Sequence, residues 1–439
     1  MAERRRPVDR PRRAALDVLT AVRADGAYAN LVLPQVLRKH RLEGRDAGLA
    51  TELASGAIRM HGLYDAVIDA CLTKPRLQPE VRDVLRLGVH QLLSMRVPDH
   101  AAISTSVDLV RAVVGQGPSG LVNAVLRKVS RRSLEDWVAD VAPDRAADLH
   151  GHLAVAQSHP LWVVDLLAEA LGSDDELEAL LAADNAAPRV TLVARPGLAE
   201  VAELEAAGAV ATERSPYGAV LAGGDPSAVP AVVEGRAGVQ DEGSQLVALA
   251  MADAPIEGRD ERWLDLCAGP GGKAALLGAL AAQRGARLVA NERQPHRAAL
   301  VASAMAALPD GVVDVLAGDG TRPAWVPGTF DRVLVDAPCS GLGALRRRPE
   351  SRWRRTPADV DVLVGLQQVL LDVALESVRP GGLVVYATCS PVLAETSRVV
   401  EAVLGRRDDT DLVGSFQLWP HREGTDAMYA ATLRRRATA

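Results

Sequence analysis

The sequence predicts a multidomain protein made of an all-α helical bundle, a small α+β module and a C-terminal α/β domain with a parallel sheet. Three observations predict this fold class. The 439 residues exceed what one hydrophobic core usually covers. The first third of the chain places apolar residues at helical spacing, and the last third alternates short apolar runs with helical segments. A hydrophobic content of 48% with 24% charged residues excludes wholesale disorder.

Residues 12–132 have the pattern of successive helices. Leu85, Val89 and Leu92 fall at positions i, i+4 and i+7, which mark one face of a helix. The breaks between such stretches are short and rich in Gly, Pro and polar residues. We expect a bundle of five to seven helices over residues 1–133, followed by an acidic helical connector over residues 134–185.

Charge is distributed unevenly along the chain. Residues 1–133 hold 22 Lys and Arg against 13 Asp and Glu, a net charge of +9. Residues 134–260 hold 6 against 23, a net charge of −17, and residues 261–439 hold 22 against 20. A basic module beside an acidic one favours a polyanionic partner for the basic module.

The pattern changes again at residue 186. Over residues 186–235, two strand-like runs flank one helical stretch, which predicts a small α+β module. Over residues 236–439, the runs WLDLC, RLVANE, DVLAG, RVLVDAP and GLVVYATCS alternate with helical segments. That alternation predicts a parallel sheet with helices on both faces, and such sheets bind ligands beyond the carboxyl ends of their strands.

A glycine-rich loop closes the first of these runs. It consists of Cys267, Ala268, Gly269, Pro270, Gly271, Gly272 and Lys273. The loop lacks the dinucleotide fingerprint G-x-G-x-x-G. It also fails as a P-loop, because Cys267 replaces the first Gly and Ala274 follows the lysine. A diphosphate cofactor is therefore disfavoured, whereas glycines at a helix N-terminus also suit a carboxylate.

Acidic residues close the next runs. Glu292 can accept hydrogen bonds from both hydroxyls of a ribose, and Asp319 can accept one from an adenine amino group. Together with the glycine-rich loop, these acids fit an adenosine that carries an amino-acid tail. We therefore expect S-adenosylmethionine as the cofactor.

Three segments resemble successive motifs of the RNA cytosine-5 methyltransferases of the Nol1/Nop2/Sun group. The segments are LDLCAGPGGK, DAPCSGLGALRRRPESRW and VVYATCSP. Residues 12–132 are similar to the NusB RNA-binding helical domain. The resemblance implies a Rossmann-like class I methyltransferase domain over residues 236–439. A NusB-like domain in front of this catalytic domain is the arrangement of small-subunit ribosomal RNA methyltransferases, which implies 16S ribosomal RNA as the substrate.

Two cysteines match the chemistry that this resemblance implies. Carbon C5 of cytosine is a poor nucleophile until a thiolate adds to C6, and a base must then remove the C5 proton before the thiolate can leave. By resemblance, Cys389 is the nucleophile and Cys339 assists release. Asp336 would bond the edge of the base and lie near the methionine part of the cofactor, and Lys273 would lower the pKa of the nucleophilic thiol. The Pro-Cys setting of Cys339, as in DNA cytosine methyltransferases, leaves the reverse assignment open.

A run of arginines follows the Cys339 loop. Guanidinium groups bind phosphates through paired hydrogen bonds and stack on bases, so we expect this run to hold RNA while the target cytosine is extruded. The expected RNA-binding residues are Arg346, Arg347, Arg348, Arg352 and Arg354. A second basic cluster, at residues 4–13, is expected to form a flexible arm.

Other functions remain open at this point. One alternative is the same chemistry on transfer RNA, and another is an RNA-binding scaffold of NusB type without activity. The missing dinucleotide fingerprint argues against a dehydrogenase. No apolar run approaches the roughly 20 residues of a membrane span, and the N-terminus does not resemble a secretory signal. Four cysteines do not make a disulfide framework, and none has zinc spacing. We expect a cytoplasmic monomer without a metal site.

Overall fold

A computed structural model describes residues 9–73 and 76–437. The chain divides into two compact units. The helical unit contains the residues up to Ala186 and the later segment Leu345–Arg354, and the sheet unit contains Ala187–Ala344 and the residues from Arg355 onward. The helical connector predicted over residues 134–185 thus belongs to the same unit as the bundle. Nothing in the sequence pattern indicated that Leu345–Arg354 belongs there too.

The predicted helical bundle is confirmed, with seven helices in the described part of residues 9–131. They are α1 (Arg10–Ala24), α2 (Ala29–His40), α3 (Gly44–Arg59), α4 (His61–Cys71), α5 (Pro79–Leu93), α6 (Asp99–Val113) and α7 (Ser119–Val129). The helical spacing read from the sequence marks the packed face of α5, where Leu85 and Val89 are fully buried. Pro79 opens α5 at the first turn, where its missing N–H costs no helical hydrogen bond.

The predicted flexible arm is wrong for the three arginines that the structure describes. Arg10, Arg12 and Arg13 lie in α1, and the Asp9 side chain accepts a hydrogen bond from the Arg12 N–H at the start of that helix. The Arg12 side chain is packed inside the bundle, where its Nε donates to Gln91 Oε1 at 2.7 Å. The remaining arginines of that cluster, at positions 4–6, lie outside the described residues.

Four more helices extend the helical unit. They are α8 (Leu134–Val141), α9 (Leu149–Ala156), α10 (Leu161–Leu171) and α11 (Leu177–Asn185). Ser133 caps α8 through a reciprocal capping box with Asp136. The buried Trp137 joins α8 to the bundle, because its indole N–H donates to the Val129 carbonyl at 3.0 Å.

A four-stranded antiparallel sheet opens the sheet unit, in the order β2-β3-β1-β4. Its strands are β1 (Thr191–Ala194), β2 (Ala209–Ala211), β3 (Gly218–Leu221) and β4 (Ala237–Val239), with the short helices α12 (Val201–Ala206) and α13 (Pro230–Val233). The boundary predicted at residue 235 is too early, because Val239 of β4 pairs with Leu192 of β1. The three-residue strands β2 and β4 are too short to show a pattern in the sequence.

A seven-stranded sheet with the order β10-β11-β9-β8-β5-β6-β7 forms the rest of this unit. The strands are β5 (Arg262–Asp265), β6 (Arg287–Glu292), β7 (Val313–Ala317), β8 (Phe330–Asp336), β9 (Val378–Thr388), β10 (Thr410–Gln417) and β11 (Tyr429–Arg435). Strands β5 to β9 are parallel, as predicted, but β11 runs antiparallel to both of its neighbours, β9 and β10. The chain between β10 and β11 is too short for the crossover that a parallel pair requires.

Helices cover both faces of the larger sheet. They are α14 (Glu242–Asp253), α15 (Gly272–Arg284), α16 (Pro295–Ala304), α18 (Pro357–Ser377) and α19 (Ser397–Leu404); α17 (Ser351–Arg354) belongs to the helical unit, and α20 (Pro420–Glu423) lies between β10 and β11. Neighbouring residues of β5 enter different cores, with Trp263 packed beside α15 and Leu264 beside α18. No helix within the described residues is long and apolar enough to cross a bilayer.

Candidate active site

The carboxyl ends of the central parallel strands meet at one edge of the larger sheet. Asp265, at the end of β5, is in register with Leu334 of β8, and Asp336, at the end of β8, is in register with Ala387 of β9. Strand β5 lies between β6 and β8: the chain continues from β5 to β6 and β7 on one side and then crosses to β8 and β9 on the other. Such a switch point opens a crevice beyond the strand ends, which is where α/β sheets bind ligands.

The structure brings the two predicted thiols together. Cys389 directly follows β9, and Cys339 lies three residues beyond β8. Their sulfur atoms are 3.4 Å apart, and both side chains are only partly buried. The hydrogen bond to Cys389, together with burial, raises the pKa of the Cys339 thiol well above its ordinary value. Cys339 therefore keeps its proton beside the Cys389 sulfur.

Lys273 lies at the start of α15, where its charge interacts with that of Cys389. Its Nζ donates to Asp336 Oδ2 at 2.9 Å and to Ser244 Oγ at 3.3 Å. Burial alone would lower the pKa of Lys273, but its ion pair with Asp336 and the charge of Cys389 raise it overall. Lys273 is thus held as a cation, and it can stabilise a negative charge on the Cys389 sulfur.

The glycine-rich loop turns sharply from β5 into α15. Gly271 has φ +114°, and a Cβ there would lie 2.9 Å from Ala304 Cβ, so only glycine fits without strain. The buried Asn291 holds the loop by donating from Nδ2 to the Leu266 carbonyl at 3.0 Å and to the Gly318 carbonyl at 3.1 Å. This one side chain thereby ties together the ends of three strands.

The two acids predicted to bind adenosine have different surroundings. Glu292 is 5% exposed; its Oε2 accepts from the Gly269 N–H at 3.1 Å, and its Oε1 accepts from the Gln294 N–H at 2.9 Å. Asp319 is more open, and hydrogen bonds from the backbone N–H and the hydroxyl of Thr321 lower its pKa. Glu292 therefore shapes the glycine-rich loop, while the Asp319 side chain is 40% exposed, with its Oδ2 4.0 Å from Arg293 Nε.

Two family models match the chain: 16S rRNA methyltransferase RsmB/F over residues 252–434 and the NusB family over residues 9–131. The putative methyltransferase Rv1407 of Mycobacterium tuberculosis is 50% identical over 451 aligned residues, which cover 98% of each chain. The ribosomal RNA small subunit methyltransferase B of Pseudomonas putida is 34% identical over 90% of this chain and 89% of the relative. The chain belongs to the RsmB/F family.

A solved structure shows the same fold over nearly the whole RsmB/F chain. The crystal structure of PH0851 superposes with a TM-score of 0.80 at 23% identity, covering 98% of this chain and 99% of the other. This likeness supports the fold, namely an N-terminal helical domain followed by a Rossmann-like methyltransferase domain. The sequence-based expectation of family and fold is confirmed.

The residues at the strand ends of this RsmB/F protein fit an adenosine with an amino-acid tail. Within the described residues, both polar atoms of the buried Gln240 side chain and Asp265 Oδ2 have no hydrogen-bond partner. The Gln240 amide lies next to the N-terminus of α15, 3.9 Å from where a Cβ of Gly272 would be. An unpartnered amide beside a helix N-terminus suits a carboxylate, and the glycines leave room for close approach.

Asp265 was not assigned a role from the sequence, although its position at a strand end was visible. It is 1% exposed, and its Oδ1 accepts from the Cys267 N–H at 3.3 Å. Burial and the nearby charge of Asp336 raise the pKa of Asp265 to about 7. In the same surroundings, burial and Asp265 raise the pKa of the Cys267 thiol well above its ordinary value, which favours a packing role for Cys267.

The raised pKa of Asp265 predicts a pH-dependent cost to stability. The folded state favours the protonated acid, so Asp265 costs nothing at low pH, begins to destabilise above pH 3.8 and reaches its full cost above about pH 7. We expect the free energy of unfolding of Asp265→Asn, relative to that of the wild type, to be about 2–3 kcal/mol larger at pH 8 than at pH 5. Urea unfolding at both pH values measures this gain.

Asp319→Asn is the matched control for this measurement. The pKa of Asp319 is lowered, so its contribution to stability is complete well below pH 5 and does not change up to pH 8. The stability difference between Asp319→Asn and the wild type should therefore be the same at both pH values. If Asp265→Asn behaves in that way too, Asp265 does not titrate near pH 7.

The arginine run does not form the open RNA-binding surface that the sequence predicted. Arg352 is 0% exposed and donates to the Ser158 carbonyl at 3.1 Å and to Asn185 Oδ1 at 2.8 Å. Burial lowers its pKa to about 10. Arg354 donates to the carbonyls of Val22 and Ala27.

These contacts correct the RNA-binding prediction for Arg352 and Arg354, whose guanidinium groups hold Leu345–Arg354 within the helical unit. Arg346 is also buried, at 8% exposed. Arg347 is partly buried, and Arg348 is exposed, with its guanidinium 4.9 Å from the centre of the Tyr28 ring. Arg348 is thus the member of the run with the strongest remaining claim to RNA.

Proposed function

We propose that this protein transfers a methyl group from S-adenosylmethionine to C5 of a cytosine in small-subunit ribosomal RNA, through a covalent bond between Cys389 and C6. The observation that best supports this proposal is the pair of thiols with sulfur atoms 3.4 Å apart. Lys273, whose charge interacts with Cys389, forms an ion pair with Asp336 at the end of β8. Cytosine-5 methylation through an adduct needs a thiolate to attack and a second group to assist release.

The choice of RNA rests on three further observations. The Pseudomonas putida relative is named a ribosomal RNA small subunit methyltransferase, and the matched family is described by 16S rRNA. Residues 9–131 match the NusB family, and residues 1–133 carry a net charge of +9. Basic surfaces bind RNA phosphates, so the N-terminal bundle is proposed to hold the substrate. Because ribosomal RNA is the proposed substrate, we also propose a cytoplasmic location.

S-adenosylmethionine, when bound, supplies an electrophilic methyl group on sulfur. The chain would hold it with the loop Cys267–Lys273, with Glu292 and Asp319 toward the ribose and the adenine, and with Asp336 near the methionine part. The unpartnered Gln240 and Asp265 add polar groups to this set. Gln240 lies beside the start of α15 and Asp265 lies at the end of β5, where an amino-acid tail needs partners.

Cys389 performs the first step in this proposal. Its thiolate forms a bond to C6, and the electron pair that moves to C5 makes that carbon nucleophilic. The Lys273 cation stabilises the thiolate before attack. Asp336 hydrogen-bonds the edge of the base, while its Oδ2 stays paired with Lys273.

Cys339 acts after the methyl group has arrived at C5. Removal of the C5 proton returns an electron pair to the ring, breaks the bond between C6 and the Cys389 sulfur and restores aromaticity. The raised pKa keeps the Cys339 thiol protonated during the attack. Cys339 must then give its proton to water, and its thiolate, a strong base because of the same raised pKa, takes the C5 proton. During the attack Cys389 must therefore be a thiolate and Cys339 a thiol. The Lys273 cation supports the first state, and the raised pKa of Cys339 supports the second.

Bisulfite sequencing of total RNA from cells with and without the gene tests the proposed function. Loss of one 5-methylcytosine from small-subunit ribosomal RNA is the expected result. Loss from transfer RNA instead would make transfer RNA the substrate. An unchanged set of 5-methylcytosines would favour a binding protein without activity. Complementation with the wild-type gene restores the lost position if the effect is direct.

Replacing Glu292 with Ala should weaken cofactor binding. Each hydrogen bond to a charged acceptor contributes roughly 1.5–3 kcal/mol, so the Kd for S-adenosylmethionine should rise about tenfold or more. Calorimetric titration of the ligand-free protein measures this change. Asp361→Ala removes an exposed carboxylate from α18 and should leave the Kd as it is. An unaltered Kd in Glu292→Ala would mean that Glu292 shapes the glycine-rich loop but does not bind the cofactor.

A further inference from the structure

Glu395 is a fully buried carboxylate next to the two cysteine loops. It ends a short 3₁₀ turn, Leu393–Glu395, and is 0% exposed. Its Oε1 accepts from the Ser340 backbone N–H at 2.7 Å and from Gln367 Nε2 at 3.1 Å. Its Oε2 accepts from the hydroxyls of Ser340 and Ser390, the latter at 2.7 Å. Four donors thus satisfy the acceptor capacity of the carboxylate.

Two of these partners have special positions in the chain. Ser340 directly follows Cys339, and Ser390 directly follows Cys389. A single buried carboxylate therefore joins the residue after one thiol to the residue after the other. The hydroxyls of Ser340 and Ser390 are also 3.1 Å apart, so the three side chains form one closed cluster.

Further contacts stiffen the same arrangement. Gln367, on α18, also donates from Nε2 to the Pro338 carbonyl at 2.9 Å, directly before Cys339. The Tyr386 hydroxyl, on β9, donates to the Glu395 carbonyl at 2.7 Å. Glu395 is thereby fixed to both the helix and the strand that adjoin the thiols, and its side chain has no freedom to follow one loop without the other.

The four donors to Glu395 are neutral groups: one backbone amide, one side-chain amide and two hydroxyls. Burial of a carboxylate is costly, and hydrogen bonds to a charged acceptor are the strong kind that offsets the cost. An apolar residue of the same size would avoid that cost, but it would leave both loops without their common anchor. The carboxylate therefore serves to fix the two loops against each other.

We propose that Glu395 is a positioning residue that sets the separation of the Cys339 and Cys389 sulfur atoms. This inference rests on the proposed function, in which one thiol attacks C6 and the other assists release. Both reactions occur at adjacent atoms of one cytosine, C6 and C5, so both sulfur atoms must lie close to the same bond. A displacement of about 1 Å in such a site can cost about 100-fold in rate.

The test measures the thiol separation and the reaction separately in the full-length protein. Dibromobimane becomes fluorescent only when two nearby thiols displace both of its bromides, so it reports the pair without requiring RNA or cofactor. We expect Glu395→Gln to lower the cross-linking yield and to reduce kcat for methyl transfer by at least about tenfold. The KM for S-adenosylmethionine should stay within about twofold, because the hydrogen bonds of Glu395 among the described residues go to Ser340, Gln367, Tyr386 and Ser390, outside the glycine-rich loop.

The controls decide between positioning and general stability. Glu401→Gln neutralises an exposed carboxylate on α19 and should match the wild type in both assays. Cys339→Ala should give no cross-link, which assigns the signal to the pair. Glu395→Ala should lower both readouts further than Glu395→Gln, and thermal unfolding shows whether each variant is folded.

The outcomes separate this inference from the proposed function. Wild-type cross-linking in folded Glu395→Gln would overturn the positioning role, whatever happens to kcat. Reduced cross-linking with an unchanged kcat would overturn the role of Glu395 in the reaction, because the altered thiol separation would not affect methyl transfer. If the wild-type protein methylates no RNA, the proposed function fails, while the cross-linking yield still decides whether Glu395 sets the thiol separation.

Discussion

Methyl transfer is expected to disappear in Cys389→Ala, with a loss of more than about 10³-fold in kcat/KM. Without a bond from sulfur to C6, C5 stays part of an aromatic ring and does not attack the methyl group. The Kd for S-adenosylmethionine should stay within about twofold, because the expected cofactor contacts come from the loop after β5 and from the acids that follow β6 and β7. Transfer of radiolabelled methyl groups to small-subunit RNA, with calorimetric titration in parallel, measures both quantities.

Cys71→Ala is the matched control for this prediction. Cys71 ends α4 in the helical unit, and burial raises the pKa of its thiol. Loss of this thiol should leave methyl transfer close to the wild-type rate. Robust activity in Cys389→Ala, on the other hand, would remove Cys389 from the role of nucleophile and leave Cys339 as the candidate.

The sequence predicted the location of the site well because strand ends leave a strong signal. Short apolar runs end in Asp265, Glu292, Asp336 and Thr388. Parallel strands align their carboxyl ends at one edge of the sheet, so these runs alone predict where the site lies. The close approach of Cys339 and Cys389 follows from the same rule, since β8 and β9 are neighbours in the sheet. The period of the apolar residues likewise predicted the helices of the N-terminal bundle.

The sequence could not predict which polar side chains the fold uses internally. Arg352 stands in a run of arginines that has the composition of an RNA-binding surface, yet its partners Ser158 and Asn185 lie more than 160 residues away. Glu395 lies six residues beyond Cys389 in a stretch without a helical or strand pattern. Only the folded chain shows that its carboxylate joins both thiol loops. Such contacts depend on packing between distant segments, which periodicity does not report.

The same limit applies to the direction of the last two strands. Strand β10 forms one edge of the larger sheet and is mostly exposed, and β11 lies next to it. Neither run shows the continuous apolar pattern of the central strands. Their antiparallel pairing follows from the short chain between them, which became visible only once both strands were placed. The prediction of a wholly parallel sheet failed for β11 and held for β5 to β9, whose carboxyl ends include the two that carry the thiols.

The second large effect is expected in Cys339→Ala, which should accumulate a covalent complex between enzyme and RNA. Cys389 can still bond to C6, and C5 can still receive the methyl group, because neither event requires the second thiol. Without Cys339, removal of the C5 proton slows and the bond from sulfur to C6 persists. A slow-migrating, ribonuclease-sensitive band on a denaturing gel measures the complex.

The pattern across three variants decides which thiol attacks. The band should be strong in Cys339→Ala and absent from both Cys389→Ala and the double variant, since only Cys389 forms the bond to C6. Lys273 supports this order, because its cation interacts with Cys389, whereas the hydrogen bond to Cys389 keeps Cys339 protonated. A band that forms only when Cys389 is missing would reverse the two roles. Cys339 would then be the nucleophile and Cys389 the group that assists release.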